Sequence, residues 1–522
     1  MSILNFVPKP FSISGDNPRD KEQTSILLQV EKYWERYDVL VIDSAVGSGK
    51  SLIAQVIAKW RESKEESTAT IVHRITLQGQ YEDDFKYLDT LKGKARYECH
   101  EAKNCEEHFA LFDSYCSGCP YAAAKAACKV SKNACFNFQS YILHKAYKDN
   151  IIVDEAHNIL PIMSDFFSIT LWKHIHDYPT SLNTHGDVAI WLEEEVSRVG
   201  EEVKIAEGEF RAIKHKLKGH TIPRKYKALA ARYRELSARE KKYSQVLQGL
   251  QRAPMNYFIE HSVEEYRGEM LPCLRVRPTT LRGMPDMLWP ANSTKKIILM
   301  SGTIAKRDIK ELGLIGRKVK FLDTKNPIKP ERRKIIVTNP YNMSFKYQDK
   351  NLKPLARQIE GILEKHSDTK GMVHLTYGLA FKMRKHLKGS RFMWHTKEDK
   401  EQVLLDFKQT KEPKVMIACG MAEGVDLAGP TFGFQIIAKV QWPSKKDKMI
   451  DMFYKKDIER IIWDTVRTIR QQSGRICRGA DDEGVTYITD SAFGNVRKKR
   501  NGLFQQSRQF WPDDIVKAIV WE

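Results

Sequence analysis

A strand–turn–helix unit near the N-terminus constrains the fold of this chain most strongly. Residues 39–42 form a β-branched apolar run, glycines follow it, and an amphipathic helix is predicted to begin near Lys50. Similar apolar runs recur along the chain, separated by helical stretches, at residues 69–72, 151–153, 297–300, 335–338, 372–375, 415–419, 434–438 and 485–488. This alternation is typical of parallel α/β sheets. Two groups of strands, divided near residue 325, predict two such domains.

Length and charge narrow the class of protein further. A chain of 522 residues is expected to form several domains. Lysine and arginine outnumber the acidic residues by 86 to 66, and the net charge of +20 favours a polyanionic partner, first of all nucleic acid. No apolar run approaches the ~18 to 20 residues that a membrane-spanning helix needs. The N-terminal residues resemble no targeting peptide, so we expect a reducing, cytosol-like compartment.

The glycine-rich turn has the composition of a phosphate-binding loop. It comprises Gly47, Ser48, Gly49, Lys50 and Ser51. Glycines allow backbone N–H groups to approach phosphates, the lysine reaches the β- and γ-phosphate oxygens, and the serine hydroxyl can bind Mg²⁺. An ordinary turn is the alternative for so short a pattern.

An acidic pair follows a second buried run. Asp154 and Glu155 end the sequence IIVDE, at the edge where ligands of parallel sheets bind. Asp154 can hold Mg²⁺ through water, and Glu155 can orient and deprotonate the attacking water. A solvated acidic pair would be as good an interpretation without the loop at Lys50.

A third pattern, QxxGRxxR, lies in the second group of strands. It contains Gln471, Arg475 and Arg478. The two arginines are three residues apart, so on a helix they would project from one face. Arginines so placed can neutralise the charge of a phosphoryl-transfer transition state. The alternative is a surface pair that forms salt bridges.

Six of the nine cysteines are crowded into a short segment. They are Cys99, Cys105, Cys116, Cys119, Cys128 and Cys135. An odd total and a reducing compartment disfavour disulfides, so a metal or iron–sulfur site is the leading interpretation. Four thiolates suit a [4Fe–4S] cluster and also suit tetrahedral zinc.

Residues 190–252 follow a heptad pattern that predicts an antiparallel helical hairpin. The first seam repeats at alternating spacings of four and three, at Leu192, Val196, Val199, Val203, Ala206, Phe210, Ile213 and Leu217. The second seam comprises Tyr226, Leu229, Tyr233, Leu236, Tyr243 and Leu250. A purely structural coiled coil and a substrate-gating element are equally compatible with the pattern.

The order of these motifs resembles superfamily 2 helicases, specifically the XPD/DinG family of iron–sulfur DNA helicases. The resemblance extends from about Arg19 to Asp490 and includes the serine, glycine and threonine at 301–303 as motif III. It implies that Arg19 and Gln23 read adenine and that residues 73–77 contact single-strand phosphates. It also implies that a motif at 423–426 acts at the nucleotide through Glu423, Gly424 and Asp426.

The family resemblance also implies a ligand set and a domain plan. Cys99, Cys105, Cys116 and Cys119 match the family's four cluster ligands, whereas Cys128 and Cys135 do not. The fold class would be α/β, with two RecA-like parallel-sheet domains, a four-cysteine cluster insertion and a helical arch insertion. RecA-like domain 1 would comprise residues 1–91, 136–162 and 289–325, the cluster domain 92–135, the arch 163–288, and RecA-like domain 2 residues 326–522.

These observations predict an ATP-dependent DNA helicase that translocates on single-stranded DNA and unwinds duplex DNA. The 5′-to-3′ direction is implied by the family resemblance alone. ATP would bind in the cleft between the RecA-like domains. The expected cofactors are ATP, Mg²⁺ and a [4Fe–4S] cluster, with zinc as the alternative. We expect single-stranded and forked DNA as partners, no membrane association, a monomer, and a cytoplasmic, nucleoid-associated location. The alternative function is a DNA-stimulated ATPase that clamps or remodels protein–DNA complexes without separating strands.

Overall fold

The computed structural model describes the chain apart from residues 46, 215–222, 285–287, 291, 422–431, 478, 480–481 and 495–501. Each predicted apolar run corresponds to a strand. In chain order the strands are β1 (Val39–Asp43), β2 (Thr68–Val72), β3 (Asp89–Leu91), β4 (Asn133–Asn137), β5 (Asn150–Asp154), β6 (Ile169–Trp172), β7 (Tyr257–Tyr266), β8 (Glu269–Pro278), β9 (Lys296–Ser301), β10 (Val319–Phe321), β11 (Ile335–Tyr341), β12 (Lys370–Leu375), β13 (Phe392–Met393), β14 (Val415–Cys419), β15 (Phe432–Ile437), β16 (Val485–Asp490) and β17 (Ile519–Trp521). The structure adds β3, β10, β13 and β17 at sheet edges, β4 inside the first sheet, and the separate sheet of β6, β7 and β8.

The helices alternate with these strands, and two long ones interrupt the alternation. They are α1 (Pro18–Tyr33), α2 (Lys50–Glu62), α3 (Ile75–Asp84), α4 (Cys105–Phe112), α5 (Pro120–Val130), α6 (Phe138–Leu143), α7 (Ile159–Phe167), α8 (Lys173–His176), α9 (His185–Lys214), α10 (Arg224–Arg252), α11 (Lys306–Glu311), α12 (Gln348–Lys365), α13 (Tyr377–Met383), α14 (Lys400–Gln409), α15 (Lys448–Lys456), α16 (Ile458–Ser473), α17 (Leu503–Gln506) and α18 (Asp513–Ala518). No described helix combines the length and apolar character that crossing a bilayer requires.

The first sheet has the strand order β10-β1-β9-β5-β2-β4-β3. Its described strand pairs are parallel, including β1 with β10, β5 with β9, and β2 with β4 and β5. Val41, Ile71, Ile151 and Ile297 are fully buried, as expected for a sheet covered on both faces. Parallel pairing brings the carboxyl ends of β5 and β9 to one edge, so the residues that follow these two strands lie close together.

The second sheet has the strand order β13-β14-β12-β15-β16-β11-β17, and all its described pairs are parallel. By its internal contacts the chain divides into two compact units. One unit comprises residues 1–11, 29–41 and 51–322, and the other comprises residues 12–28, 42–50 and 323–522. The predicted fold class, with two parallel-sheet α/β domains, is confirmed, whereas the finer division into segments stays a prediction.

The sequence did not predict one element of the first unit, a small antiparallel sheet. Its strand order is β6-β8-β7, and β7 and β8 form a long hairpin. The turn of that hairpin contains Arg267 and Gly268, both with positive φ. Apolar and charged residues mix along these strands without clear alternation, so periodicity could not separate them from the neighbouring helices.

The helical hairpin is present as α9 and α10, and its far end packs on α4. The ring of Phe210 stacks on the ring of Tyr226, with centroids 5.2 Å apart. The Tyr226 hydroxyl donates a hydrogen bond to the Leu111 carbonyl at 2.6 Å, and the Phe112 ring lies 6.2 Å from that of Tyr226. Within the first unit, the hairpin is therefore attached to the cysteine-rich segment. Of the predicted seam, Leu217 lies outside the described residues.

Two helical glycines of the hairpin provide a matched test of this packing. A Cβ at Gly249 would overlap the hydroxyl of the buried Tyr257, whereas nothing lies within 4 Å of a Cβ at Gly208. Alanine in an open helical position stabilises by about 1 kcal/mol relative to glycine. We expect Gly208→Ala to raise the free energy of unfolding by about that amount and Gly249→Ala to lower it, as measured by urea unfolding. Equal effects would contradict the packing at Gly249.

Candidate nucleotide site and cysteine cluster

The phosphate-binding loop has the backbone that its glycines allow. Gly47 and Gly49 have φ values of +84° and +81°, in the left-handed region that favours glycine. A Cβ at Gly49 would overlap the side-chain amide of Gln23 and lie 2.9 Å from the Arg19 guanidinium. Gln23 Nε2 also donates to the Ser48 carbonyl at 2.9 Å. The two residues predicted to read adenine therefore lie beside the predicted loop.

Lys50 begins α2 and is held against the loop. Its Nζ atom is 3.5 Å from the Ser44 carbonyl oxygen and 3.4 Å from that of Ala45. The hydroxyls of Ser44 and Ser48 are 3.0 Å apart, which closes the turn. Ser44 thus supports the loop with its side chain. The N-terminus of a helix, with its free N–H groups, favours binding of an anion here.

A buried tyrosine joins the two residues predicted to hold Mg²⁺. The hydroxyl of Tyr81 on α3 donates to Asp154 Oδ2 at 3.0 Å and is also hydrogen-bonded to Ser51. Burial, reinforced by the negative charge of Asp154, raises the pKa of Tyr81 well above its ordinary value, so the phenol stays protonated. Sequence reasoning missed Tyr81, because only the tertiary structure brings α3 to the end of β5.

Glu155 adopts a backbone conformation that is uncommon for its residue type. Its φ is +53°, and its N–H donates to Asp154 Oδ1 at 3.0 Å. Such left-handed conformations cluster at functional sites, because the surrounding structure must maintain them. Asp154 is thus the last residue of β5, and Glu155 occupies the turn that follows it.

His157 connects this turn to the end of β9. Its Nδ1 atom lies 3.4 Å from Glu155 Oε2 and 2.8 Å from Ser301 Oγ. Ser301 Oγ also accepts the N–H of Thr303 at 3.0 Å. The acidic motif and the predicted motif III are therefore joined by hydrogen bonds within one unit.

In the second unit, buried polar residues support the arginine motif. Arg475 follows α16 and is 6% exposed, and Gln471 lies half-buried on the last turn of that helix. Gln435 Nε2 donates to the Gln472 carbonyl at 2.7 Å, and its Oε1 lies 3.1 Å from His374 Nε2. Burial lowers the pKa of His374 to about 4, and the charge of Arg475 acts in the same direction.

The neutral imidazole of His374 therefore does not repel the guanidinium of Arg475. Sequence reasoning assigned His374 and Gln435 only to strands, since nothing in their local pattern marks a contact with α16. The predicted residues Arg478, Glu423, Gly424 and Asp426 lie outside the described residues.

The structure brings together the four cysteines that were predicted as ligands. The sulfur atoms of Cys99, Cys105 and Cys116 all lie within 4.8 Å of one another, and Cys119 Sγ lies 3.5 Å from Cys105 Sγ. The other two cysteines of the segment occupy different positions, Cys128 on α5 and Cys135 on β4, and both are buried.

The local environment of these thiols suits a thiolate-ligated metal group. Burial and hydrogen bonds to Cys99 and Cys119 raise the pKa of Cys116 to about 12. Burial opposes ionisation of Cys119 too, but hydrogen bonds from the backbone of Ala122 and from neighbouring thiols lower its pKa overall. Cys119 precedes the first residue of α5, where helix N–H groups stabilise a thiolate. Four converging sulfurs fit a metal group, and the type of metal remains the subject of a test.

The role of Tyr81 can be tested by removing its hydroxyl alone. Tyr81→Phe keeps the ring and deletes the bridge between Ser51 and Asp154, so the two groups are no longer held for Mg²⁺. A lost hydrogen bond of about 0.5–1.5 kcal/mol predicts a roughly 2- to 10-fold rise in the Mg²⁺ concentration for half-maximal ATP hydrolysis. Tyr141→Phe is the matched control, because that buried hydroxyl has no hydrogen-bond partner among the described residues. Identical Mg²⁺ titrations for both variants would contradict the role.

The cysteine site predicts a clear separation of variants. Cys105→Ser or Cys119→Ser should lose the bound metal, because each removes a thiolate of the converging set. Cys128→Ser should retain it. Elemental analysis and visible absorbance near about 400 nm on anaerobically purified protein measure the result, and iron with sulfide is expected. One zinc and no iron would reject the cluster while keeping the ligand set.

Two family models match the chain. The model "Helicase C-terminal domain" matches residues 372–508, and "Type III restriction enzyme, res subunit" matches residues 17–181. A search of curated proteins gave no match.

Similar folds occur among solved structures. S. tokodaii Xpd4 has a TM-score of 0.55 and 14% identity, covering 96% of this chain and 100% of that chain. A structure titled XPD helicase has a TM-score of 0.56 and 13% identity, covering 97% and 99%. One titled XPD apo has a TM-score of 0.53 and 13% identity, covering 91% and 96%. Together with the family models and the motif order, this likeness in fold confirms the predicted resemblance to XPD/DinG-like helicases of superfamily 2.

Proposed function

We propose that this protein is an ATP-dependent DNA helicase that translocates 5′-to-3′ on single-stranded DNA and unwinds duplex DNA. One observation carries the proposal: a series of hydrogen bonds runs from Ser51 through Tyr81 to Asp154, and the turn that follows is joined through His157 to Ser301. The groups that would hold Mg²⁺ and orient water are thereby coupled to a motif that responds to nucleic acid in this family.

Hydrolysis would use the residues of the loop and the acidic motif. The backbone at Gly47, Ser48 and Gly49 would bind the phosphates, and Lys50 would neutralise the β- and γ-phosphate oxygens. Ser51 and Asp154 would hold Mg²⁺, the latter through water, while Glu155 would orient the attacking water and accept its proton. Arg19 and Gln23, adjacent to the loop, would contact the adenine.

The second unit would contribute arginines and a nucleotide-sensing segment. Arg475 and Arg478 would stabilise the charge on the transferred phosphoryl group, with Gln471 beside them. Burial of Arg475 supports this role, because a guanidinium with little water around it interacts more strongly with an anion. Glu423, Gly424 and Asp426 would complete the response to the nucleotide.

Cys99, Cys105, Cys116 and Cys119 would hold a [4Fe–4S] cluster, with zinc as the alternative. When bound, such a group supplies a multi-thiolate cross-link and, if it contains iron, one-electron redox chemistry. The chain's own contribution is to hold these sulfurs close together around the starts of α4 and α5, with Cys105, Cys116 and Cys119 buried and Cys99 partly exposed. The cysteine-rich segment can then provide a rigid surface on which the far end of the hairpin packs.

Strand separation would depend on this contact between the hairpin and the cysteine-rich segment. The contact of Tyr226 with the Leu111 carbonyl joins the far end of the hairpin to the cysteine-rich segment, which supports an opening that one strand could thread. The partners would be single-stranded and forked DNA, bound by a monomer, in a cytoplasmic, nucleoid-associated location. The net charge of +20 supports binding to a polyanion.

The hydrolytic roles are tested by three variants of the full chain. Glu155→Gln should retain ATP binding while DNA-stimulated phosphate release falls by about 10²- to 10⁴-fold, because the water loses its base. Lys50→Ala should lose binding as well. Lys59→Ala, a control on the same helix whose ammonium pairs with Glu62, should keep full turnover. Wild-type turnover in Glu155→Gln would reject its role.

An unwinding assay on forked duplexes distinguishes a helicase from an ATPase that only clamps or remodels protein–DNA complexes. Unwinding of a fork with a 5′ tail, dependent on ATP and lost in Glu155→Gln, supports the proposal. A fork unwound only from a 3′ tail would reject the polarity. ATP hydrolysis stimulated by DNA without any strand release would instead support the clamp.

A further inference from the structure

Two phenylalanines of the second unit are almost fully exposed. Phe345, between β11 and α12, is 86% exposed, and Phe381, on α13, is 83% exposed. Isolated apolar side chains on a surface are common, but large aromatic rings are usually at least half covered. Two such rings therefore call for a partner.

Lys382 adjoins both phenylalanines. Lys382 follows Phe381 in sequence, and its Nζ atom lies 6.0 Å from the ring centroid of Phe345. The same ammonium forms an ion pair with Asp349 at 2.6 Å, which holds it between α12 and α13. Lys382 therefore lies beside Phe345 in space and beside Phe381 in sequence.

The surroundings of the rings are strongly cationic. Lys346 and Lys350 flank Tyr347, with their Nζ atoms 5.5 Å and 4.7 Å from its ring centroid. Residues 345–353 and 381–388 together contain seven lysines and arginines and one carboxylate, that of Asp349, which already pairs with Lys382. A partner for this surface must therefore combine negative charge with groups that pack on an aromatic face.

Single-stranded nucleic acid has both properties. Its phosphates are negative, and its unpaired bases offer π-faces that stack on aromatic side chains whatever their sequence. Duplex DNA does not fit, because its bases already stack on one another. An apolar protein partner would need a continuous apolar area, and here lysines separate the two rings.

We propose that Phe345 and Phe381, named here the phenyl platform, stack on bases of single-stranded nucleic acid while Lys346, Lys350 and Lys382 contact its phosphates. This inference rests on the proposed function and adds to it the residues that grip the strand. Because stacking does not read sequence, the platform would hold any strand and release it when the base moves off the ring. Such a grip suits stepwise translocation.

The test compares bases with bare backbone, using full-length protein. The probes are a fluorescent oligothymidine and an oligonucleotide of equal length with abasic sites throughout, measured by anisotropy. Wild type should bind oligothymidine at least tenfold more tightly, because base–aromatic stacking contributes about 1–3 kcal/mol per base. In the Phe345→Ala/Phe381→Ala double variant this preference should largely disappear, with little change in affinity for the abasic strand.

Further variants separate stacking from apolar contact and from misfolding. Phe345→Trp should keep the preference for bases and Phe345→Leu should reduce it, since leucine is apolar but lacks a flat face. Leu405→Ala, at an exposed leucine of α14, is the matched control and should bind both probes as wild type does. Circular dichroism should show all variants folded. Replacing Lys350 with glutamine should lower the affinity for both probes by the same factor and reduce the salt dependence of binding.

The outcomes are distinct. A folded double variant that keeps the wild-type preference for bases would overturn the phenyl platform and leave the helicase proposal intact. The same conclusion would follow if wild type bound both probes equally. A wild-type protein that binds no single-stranded probe would overturn the proposed function itself. A preference for oligouridine over oligothymidine, lost in the double variant, would retain the platform and assign RNA as its ligand.

Discussion

Parallel pairing of the first sheet is the constraint on which the candidate site depends. Asp154 ends β5, and Ser301 ends the neighbouring β9, with Asp154 and Met300 in register. Because parallel strands present their carboxyl ends at one edge, residues separated by about 150 positions in sequence meet without any specific attraction between them. Only then can His157 contact both Glu155 and Ser301. The hydrogen bonds refine an arrangement that the sheet has already produced.

Buried polar groups give each unit a fixed local geometry. In the first unit, the Tyr81 hydroxyl is hydrogen-bonded to both Ser51 and Asp154. In the second unit, the Gln435 side chain donates a hydrogen bond to the backbone of α16 near Arg475. Burying such groups is costly unless each finds a partner, so their positions tolerate little displacement. A site that must hold a metal ion and a phosphate benefits from this, because small errors in position reduce phosphoryl transfer strongly.

The insertions of the first unit depend on a different kind of contact. The hairpin buries much of its seam between α9 and α10, and near its base Gly249 of α10 packs against Tyr257 of β7. At its far end, stacked aromatic rings and one hydrogen bond join it to α4. Because α4 begins with Cys105, the same helix supplies one of the clustered cysteines and packs against the hairpin.

The sequence by itself determined most of the central strands of the two parallel sheets, the loop at Lys50, the acidic pair at Asp154, the cysteine set and the helical hairpin. Each of these depends on local spacing, through the period of a strand or helix, or through glycine and cysteine chemistry. It did not reveal the β6-β8-β7 sheet, whose strands lack a clear alternation. The sequence also did not predict the contacts of Tyr81, His374 and Gln435. Nor did it predict that Phe345 and Phe381 are exposed. Those features were decided only by the tertiary structure, because burial and contact between distant segments depend on how the chain packs.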